Sequence, residues 1–152
     1  MEAYSSAEDY LAALTSRSLC PRGFRFAAPS FGFFPVERPV EKPLPMKMSL
    51  ILLDEPTDAF AALLTRNAFP GAPIHLARER MKQQRLQGIL INNKISNVGA
   101  PGGLDAARKL TAKASASLGI ESDALLAAST GIIGWSLPVD AMEAAMPSLI
   151  SR

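Results

Sequence analysis

Thr130 and Gly131, inside the run Ser129-Thr130-Gly131-Ile132-Ile133-Gly134, are the residues of this 152-residue chain best suited to chemistry. Threonine brings a hydroxyl and glycine a backbone N–H that no side chain shields. Two such donors on adjacent residues can converge on one oxygen as it gains negative charge, which is what acyl transfer requires. A tight strand-to-helix connection would use the same residue types, with glycine for its unusual dihedrals and Ser or Thr as a helix cap. The nucleophile that would complete the chemistry is not evident. There is no Gly-x-Ser-x-Gly elbow to pair with His75 and Asp54, and His75, the single histidine, opens a predicted helix and reads as an ordinary surface residue.

The turn must be held by the elements around it. Ala124-Leu125-Leu126-Ala127-Ala128 reads as a strand leading into it, and a helix is predicted from Leu137-Pro138 with Met142, Ala145, Met146 and Leu149 on its apolar face. Upstream, Leu104, Ala107, Leu110, Ala114 and Leu118 line one face of a helix that Asp105 favours in its first turn and Gly119 stops. Ser49-Leu50-Ile51-Leu52-Leu53, ending at Asp54-Glu55-Pro56, and residues 87–92 read as buried strands. Residues 73–85 are predicted helical, and residues 58–64 carry no clear period. Tyr4, Ala7, Tyr10, Leu11 and Leu14 predict an amphipathic helix over residues 3–14, capped by Ser5 or Ser6 with Glu8 at capping-box distance. Between residues 24 and 47, Pro29, Pro35, Pro39, Pro43 and Pro45 limit strand to short pieces at residues 24–28 and 32–36. Strands alternating with helices indicate an α/β layered domain, and the chain ends within or just after its last helix, so the core is expected to be completed by something outside it.

Composition narrows the function classes. Hydrophobic residues at 48% and charged residues at 20% suit one globular domain. Sixteen basic against 14 acidic side chains give no concentrated field. The local cluster Arg78, Arg80, Lys82 and Arg85 lacks interleaved aromatics and reads as a solvated helix face, so no nucleic-acid partner is expected. One cysteine, Cys20, allows no intrachain disulfide, and with His75 alone there is no zinc set; neither metal nor cofactor is expected. No apolar run approaches the roughly 20 residues that span a bilayer. The N-terminus lacks a signal peptide's pattern, and Glu2, Glu8 and Asp9 argue against a transit peptide, so a cytoplasmic setting is expected. Gly99-Ala100-Pro101-Gly102-Gly103 lacks the Lys-Ser/Thr end of a P-loop and reads as a flexible turn.

Leu118-Gly119-Ile120, Glu121-Ser122-Asp123, the strand over residues 124–128, Ser129 to Gly134 and Leu137-Pro138-Val139-Asp140 together resemble the N-terminal (α) part of the ornithine acetyltransferases, also called glutamate N-acetyltransferases. Thr65-Arg66-Asn67 followed by Ala72-Pro73 is similar to that family's Thr-x-Asn with a nearby Ala-Pro, and the likeness extends over about residues 23–150. It implies an α/β (α+β) layered sandwich of the self-cleaving ornithine acetyltransferase type, of which this chain is part, with an N-terminal helical extension at 1–22 and the α-chain portion at 23–152. It implies that Thr130 and Gly131 form the oxyanion hole, and that the nucleophile is the N-terminal Thr of a partner β chain released by autocatalytic cleavage. That Thr would move acetyl from N-acetylornithine to glutamate in arginine biosynthesis, in an α2β2 assembly, and this chain alone would be inactive.

The chain departs from the family's Asn-Ser-Gly-Asn-Ala-Asn. Asn92 and Asn97 remain, but Lys94 stands in place of glycine and Ile95 in place of the next asparagine, adding charge and bulk where a tight backbone is expected. Two other classes stay open at this point: an amidohydrolase or aminopeptidase of the same self-cleaving fold, and a non-catalytic α/β interaction domain.

Overall fold

A computed structural model of the chain describes residues 4–150. In chain order the elements are α1 (Ala7–Arg17), β1 (Phe24–Ala27), β2 (Ser30–Phe33), β3 (Leu44–Thr57), α2 (Ala72–Arg80), β4 (Leu86–Asn92), α3 (Gly103–Leu118), β5 (Leu125–Ser129), α4 (Val139–Ala145) and α5 (Pro147–Ile150). The strands form one mixed sheet in the order β1-β3-β4-β5, with β2 paired to the start of β3. All pairs are antiparallel except β4 and β5, which run parallel with Asn92 opposite Ser129 at their C-terminal ends.

β3 is longer than its apolar run predicts. It starts at Leu44 and includes Pro45, because Pro45 sits opposite Gly32 of β2 and β4 begins to pair only at Met48. A residue without an N–H does no harm where β3 has a neighbour on one side only. Along β3 the burial alternates, placing Met46, Met48, Leu50 and Leu52 on one face. That face meets Leu110 and Ala114 of α3 and Met142, Met146 and Leu149 of the last helical segment to form the core.

The opposite face is apolar as well but lacks such a layer. Register places Phe26, Ile51, Ile89 and Leu126 in one row across all four strands of the main path, and Ser49, Ile91 and Ala128 in the next. Phe26 remains 47% exposed, and Ile51, Ile89 and Leu126 are half-buried.

Several expectations need correction. Helix α2 ends at Arg80 and continues only as a short 3-10 turn to Gln83, before Gln84 takes a left-handed conformation. The single predicted C-terminal helix is broken at Met146 by Pro147, though Met142, Met146 and Leu149 do face the core. In α1 the cap is Ser6, which accepts the Asp9 N–H at 3.1 Å, and none of the helix's residues is buried. Its predicted start at residue 3 lies outside the described residues. Finally, Arg80 does not lie on a solvated face: it is 6% exposed, and its guanidinium donates to the Leu125 carbonyl of edge strand β5 and to Thr111 Oγ1 at 2.7 Å. Burial lowers its pKa, opposed by Asp123 and Glu79.

Candidate functional site

The parallel strands β4 and β5 end side by side, and the loops that leave them stay paired. Thr130 N–H donates to the Asn92 carbonyl at 3.1 Å, Ile132 N–H to Lys94 O at 2.8 Å, Ser96 N–H to Ile132 O at 3.0 Å and Gly134 N–H to Val98 O at 2.8 Å. Ile95 and Ile132 form a parallel bridge within this irregular ladder. The sheet's pairing thus continues past the strand ends and fixes the turn from behind.

Gly131 is pressed against the facing loop. A Cβ built on it would run into the carbonyl carbon and oxygen of Lys94, and its φ of 137° is one that other residues rarely adopt. Thr130 and Gly131 are exposed on the outer side. Among the described residues, neither the Thr130 hydroxyl nor the Gly131 N–H donates to any protein group. Both sequence-selected residues are therefore adjacent, unpartnered donors on a backbone that is itself tightly held.

The facing loop is built from polar residues that the sequence did not single out for this purpose. Asn93 extends the ladder to β3, accepting the Lys47 N–H on Oδ1 at 2.8 Å and donating its own N–H to Lys47 O at 3.2 Å. Ser96 adds a hydroxyl bond to Ile132 O at 2.9 Å. Buried Asn97, at φ 54°, accepts the Ala72 N–H of α2 on its carbonyl and donates Nδ2 to Gly103 O at the start of α3, both at 2.9 Å. Gly103 is glycine because a Cβ would strike Asn97 Oδ1, so packing accounts for the last residue of the Gly99–Gly103 turn.

The two departures, at 94 and 95, point in different directions. Ile95 is fully buried in the core, so its bulk goes inward and not toward the turn. Lys94 is exposed at φ 69°, a left-handed conformation in which glycine costs least.

Beside the turn, Ile74, Ala77, Ile89, Val98, Leu126 and Ile133 contribute to an open apolar pocket of about 500 Å³, with Thr65, Asn67, Ser96 and Ser129 as polar groups at its walls. Downstream, Glu37 accepts the Ser136 N–H at 2.7 Å. Burial works to raise the Glu37 carboxyl, and the bonds from Ser136 more than offset it, leaving the group below its usual range. His75 is exposed on α2, and its side chain makes no hydrogen bond or ion pair among the described residues. Among those residues no group of three His, Cys, Asp or Glu could hold a metal, and no helix is long and apolar enough to cross a membrane.

A sequence model of the ArgJ family matches residues 40–152. The chain is similar to the mitochondrial arginine biosynthesis bifunctional protein ArgJ of Talaromyces marneffei, 31% identical over 143 residues, covering 91% of this chain and 29% of that protein. It is also 31% identical over 131 residues to the arginine biosynthesis bifunctional protein ArgJ of Geobacter sulfurreducens, covering 86% of this chain and 31% of that one. The chain thus spans about 30% of the length of these relatives. Among solved structures, the arginine biosynthesis bifunctional protein argJ of Bacillus halodurans superposes with a TM-score of 0.62 at 27% identity, over 80% of this chain and 61% of the other. Ornithine acetyltransferase of Mycobacterium tuberculosis, complexed with ornithine, shares the fold with a TM-score of 0.70 at 23% identity, over 86% and 67% of the two chains.

Proposed function

This chain belongs to the ArgJ family, and from that membership we propose that it is the α-chain portion of an acetyltransferase that moves acetyl from N-acetylornithine to glutamate. Residues 1–22 form an N-terminal helical extension and residues 23–152 the α-chain portion. The nucleophile is the N-terminal Thr of a β chain produced by self-cleavage, two α and two β chains assemble, and the protein works in the cytoplasm. The observation that carries this reading is the pair of unpartnered donors at Thr130 and Gly131, backed by the Lys94 peptide.

The chemistry follows from that placement. The β-chain Thr hydroxyl adds to the acetyl carbonyl of N-acetylornithine while its own α-amine, of pKa near 8, takes the proton. The carbonyl π electrons move onto oxygen, and the Thr130 hydroxyl and Gly131 N–H hydrogen-bond the oxyanion. Collapse breaks the C–N bond, ornithine leaves with the proton, and the acetyl group remains as a threonine ester. The glutamate amine then adds to the ester, a second oxyanion forms on the same donors, and the Thr oxygen leaves and recovers its proton.

The assay is acetyl transfer by the assembled protein with N-acetylornithine as donor, in the presence and absence of glutamate. The expected result is N-acetylglutamate formed faster than free acetate, and a Thr130→Ala rate lower by about 10²–10³, the usual loss of one oxyanion donor. Acetate release that ignores glutamate would identify a hydrolase of the same fold. An unchanged Thr130→Ala rate would remove Thr130 from the mechanism.

A further inference from the structure

Asn92 is the last residue of β4, 4% exposed, and its carbonyl, Oδ1 and Nδ2 all bond residues of the two loops behind the turn. Its backbone carbonyl accepts the Thr130 N–H at 3.1 Å. Its Oδ1 accepts the Ser129 hydroxyl at 2.7 Å. Its Nδ2 donates to the Ile95 carbonyl at 2.8 Å and to the Asn93 carbonyl at 3.1 Å. One side chain therefore grips the residue before Thr130 on one strand and the carbonyls of Asn93 and Ile95 on the other. Between those two carbonyls lies the Lys94–Ile95 peptide, against which Gly131 is pressed.

Accepting the reading of Thr130 and Gly131 as oxyanion donors, we infer that Asn92 is a positioning residue for acyl transfer, with Ser129 as its partner: their hydrogen bond sets the separation of the two loops and hence the aim of both donors. The chemistry of an amide is specific here. The Asn92 side chain must accept on one side, from a hydroxyl, and donate on the other, to two carbonyls. An aspartate of the same shape would turn a carboxylate oxygen toward the Ile95 and Asn93 carbonyls, and an aliphatic residue would leave buried acceptors unpaired. A serine hydroxyl lost at 129 removes one bond and leaves the rest. A shift of about 1 Å in a donor is enough to cost about 10²-fold in rate.

The test is a double-mutant cycle in the assembled protein, this chain isolated with its partner chain, combined with amide hydrogen exchange at the turn. Asn92→Ala is expected to lower kcat about 10- to 100-fold with KM for the acyl donor held within about twofold. In a Thr130→Ala background the same change should cost no more than about threefold, because residues that act through one another are not additive. Exchange of the Thr130 amide should rise at least about tenfold, with Ile89 and Leu90 unchanged. If Asn92→Ala does not fold, Ser129→Ala takes its place, with a smaller kcat loss and the same non-additivity. Additive effects, or an unchanged Thr130 amide, would overturn the positioning role. A Thr130→Ala variant of full rate would instead overturn the functional reading on which it rests.

Discussion

Gly131 owes its identity to what lies behind it. With the Lys94 carbonyl where a Cβ would be, Gly131→Ala has to push two loops apart, and overpacking of that kind costs typically 1–3 kcal/mol. The expected outcome is a lower thermal midpoint together with lost activity, measured on the assembled protein. Lys94 offers the opposite case, since Lys94→Gly relieves a left-handed conformation and should raise stability by up to about 1 kcal/mol in a denaturant titration. A loss would mean that the exposed lysine makes compensating interactions in the assembled protein. At this scale the donors were legible in sequence because Thr-Gly between a strand and a helix signals a turn with open groups. The supports were not: Asn92, Ser96 and Ser129 act through contacts between loops some 37 residues apart, as in the Ser129 to Asn92 bond. No local pattern encodes such a contact.

Among the elements, helix α3 with its Gly119 stop and strands β4 and β5 followed directly from periodicity and caps. The length of β3 did not, since its prolines are tolerated only because β2 and β4 pair with different stretches of it. Arg80 was misread for a related reason. A basic residue among other basic residues looks solvated, yet α2 ends where β5 presents its edge, and the guanidinium satisfies the Leu125 carbonyl there. Arg80→Ala would leave that carbonyl and Thr111 without a charged donor, and a loss of roughly 2–3 kcal/mol is expected in thermal or denaturant unfolding. A neutral result would mean that solvent replaces the guanidinium at the edge.

The molecule as a whole has one sheet face closed by α3, α4 and α5 and another that carries a row of apolar side chains from Phe26 to Leu126. Half-exposed rows of that kind mark surfaces that associate. A chain spanning about 30% of its relatives' length is consistent with a second layer supplied from elsewhere, as proposed for the β chain. The layered α/β class was legible from alternating strands and helices, whereas the identity of a covering layer lies outside any pattern within these residues. Pairing of this chain with a Thr-initiated β chain is tested by intact-mass and native mass spectrometry of the protein purified under non-denaturing conditions. The expected result is a second polypeptide that begins with Thr, bound to this one in equal number. A single 16.2 kDa species, stable and monomeric in solution, would contradict it.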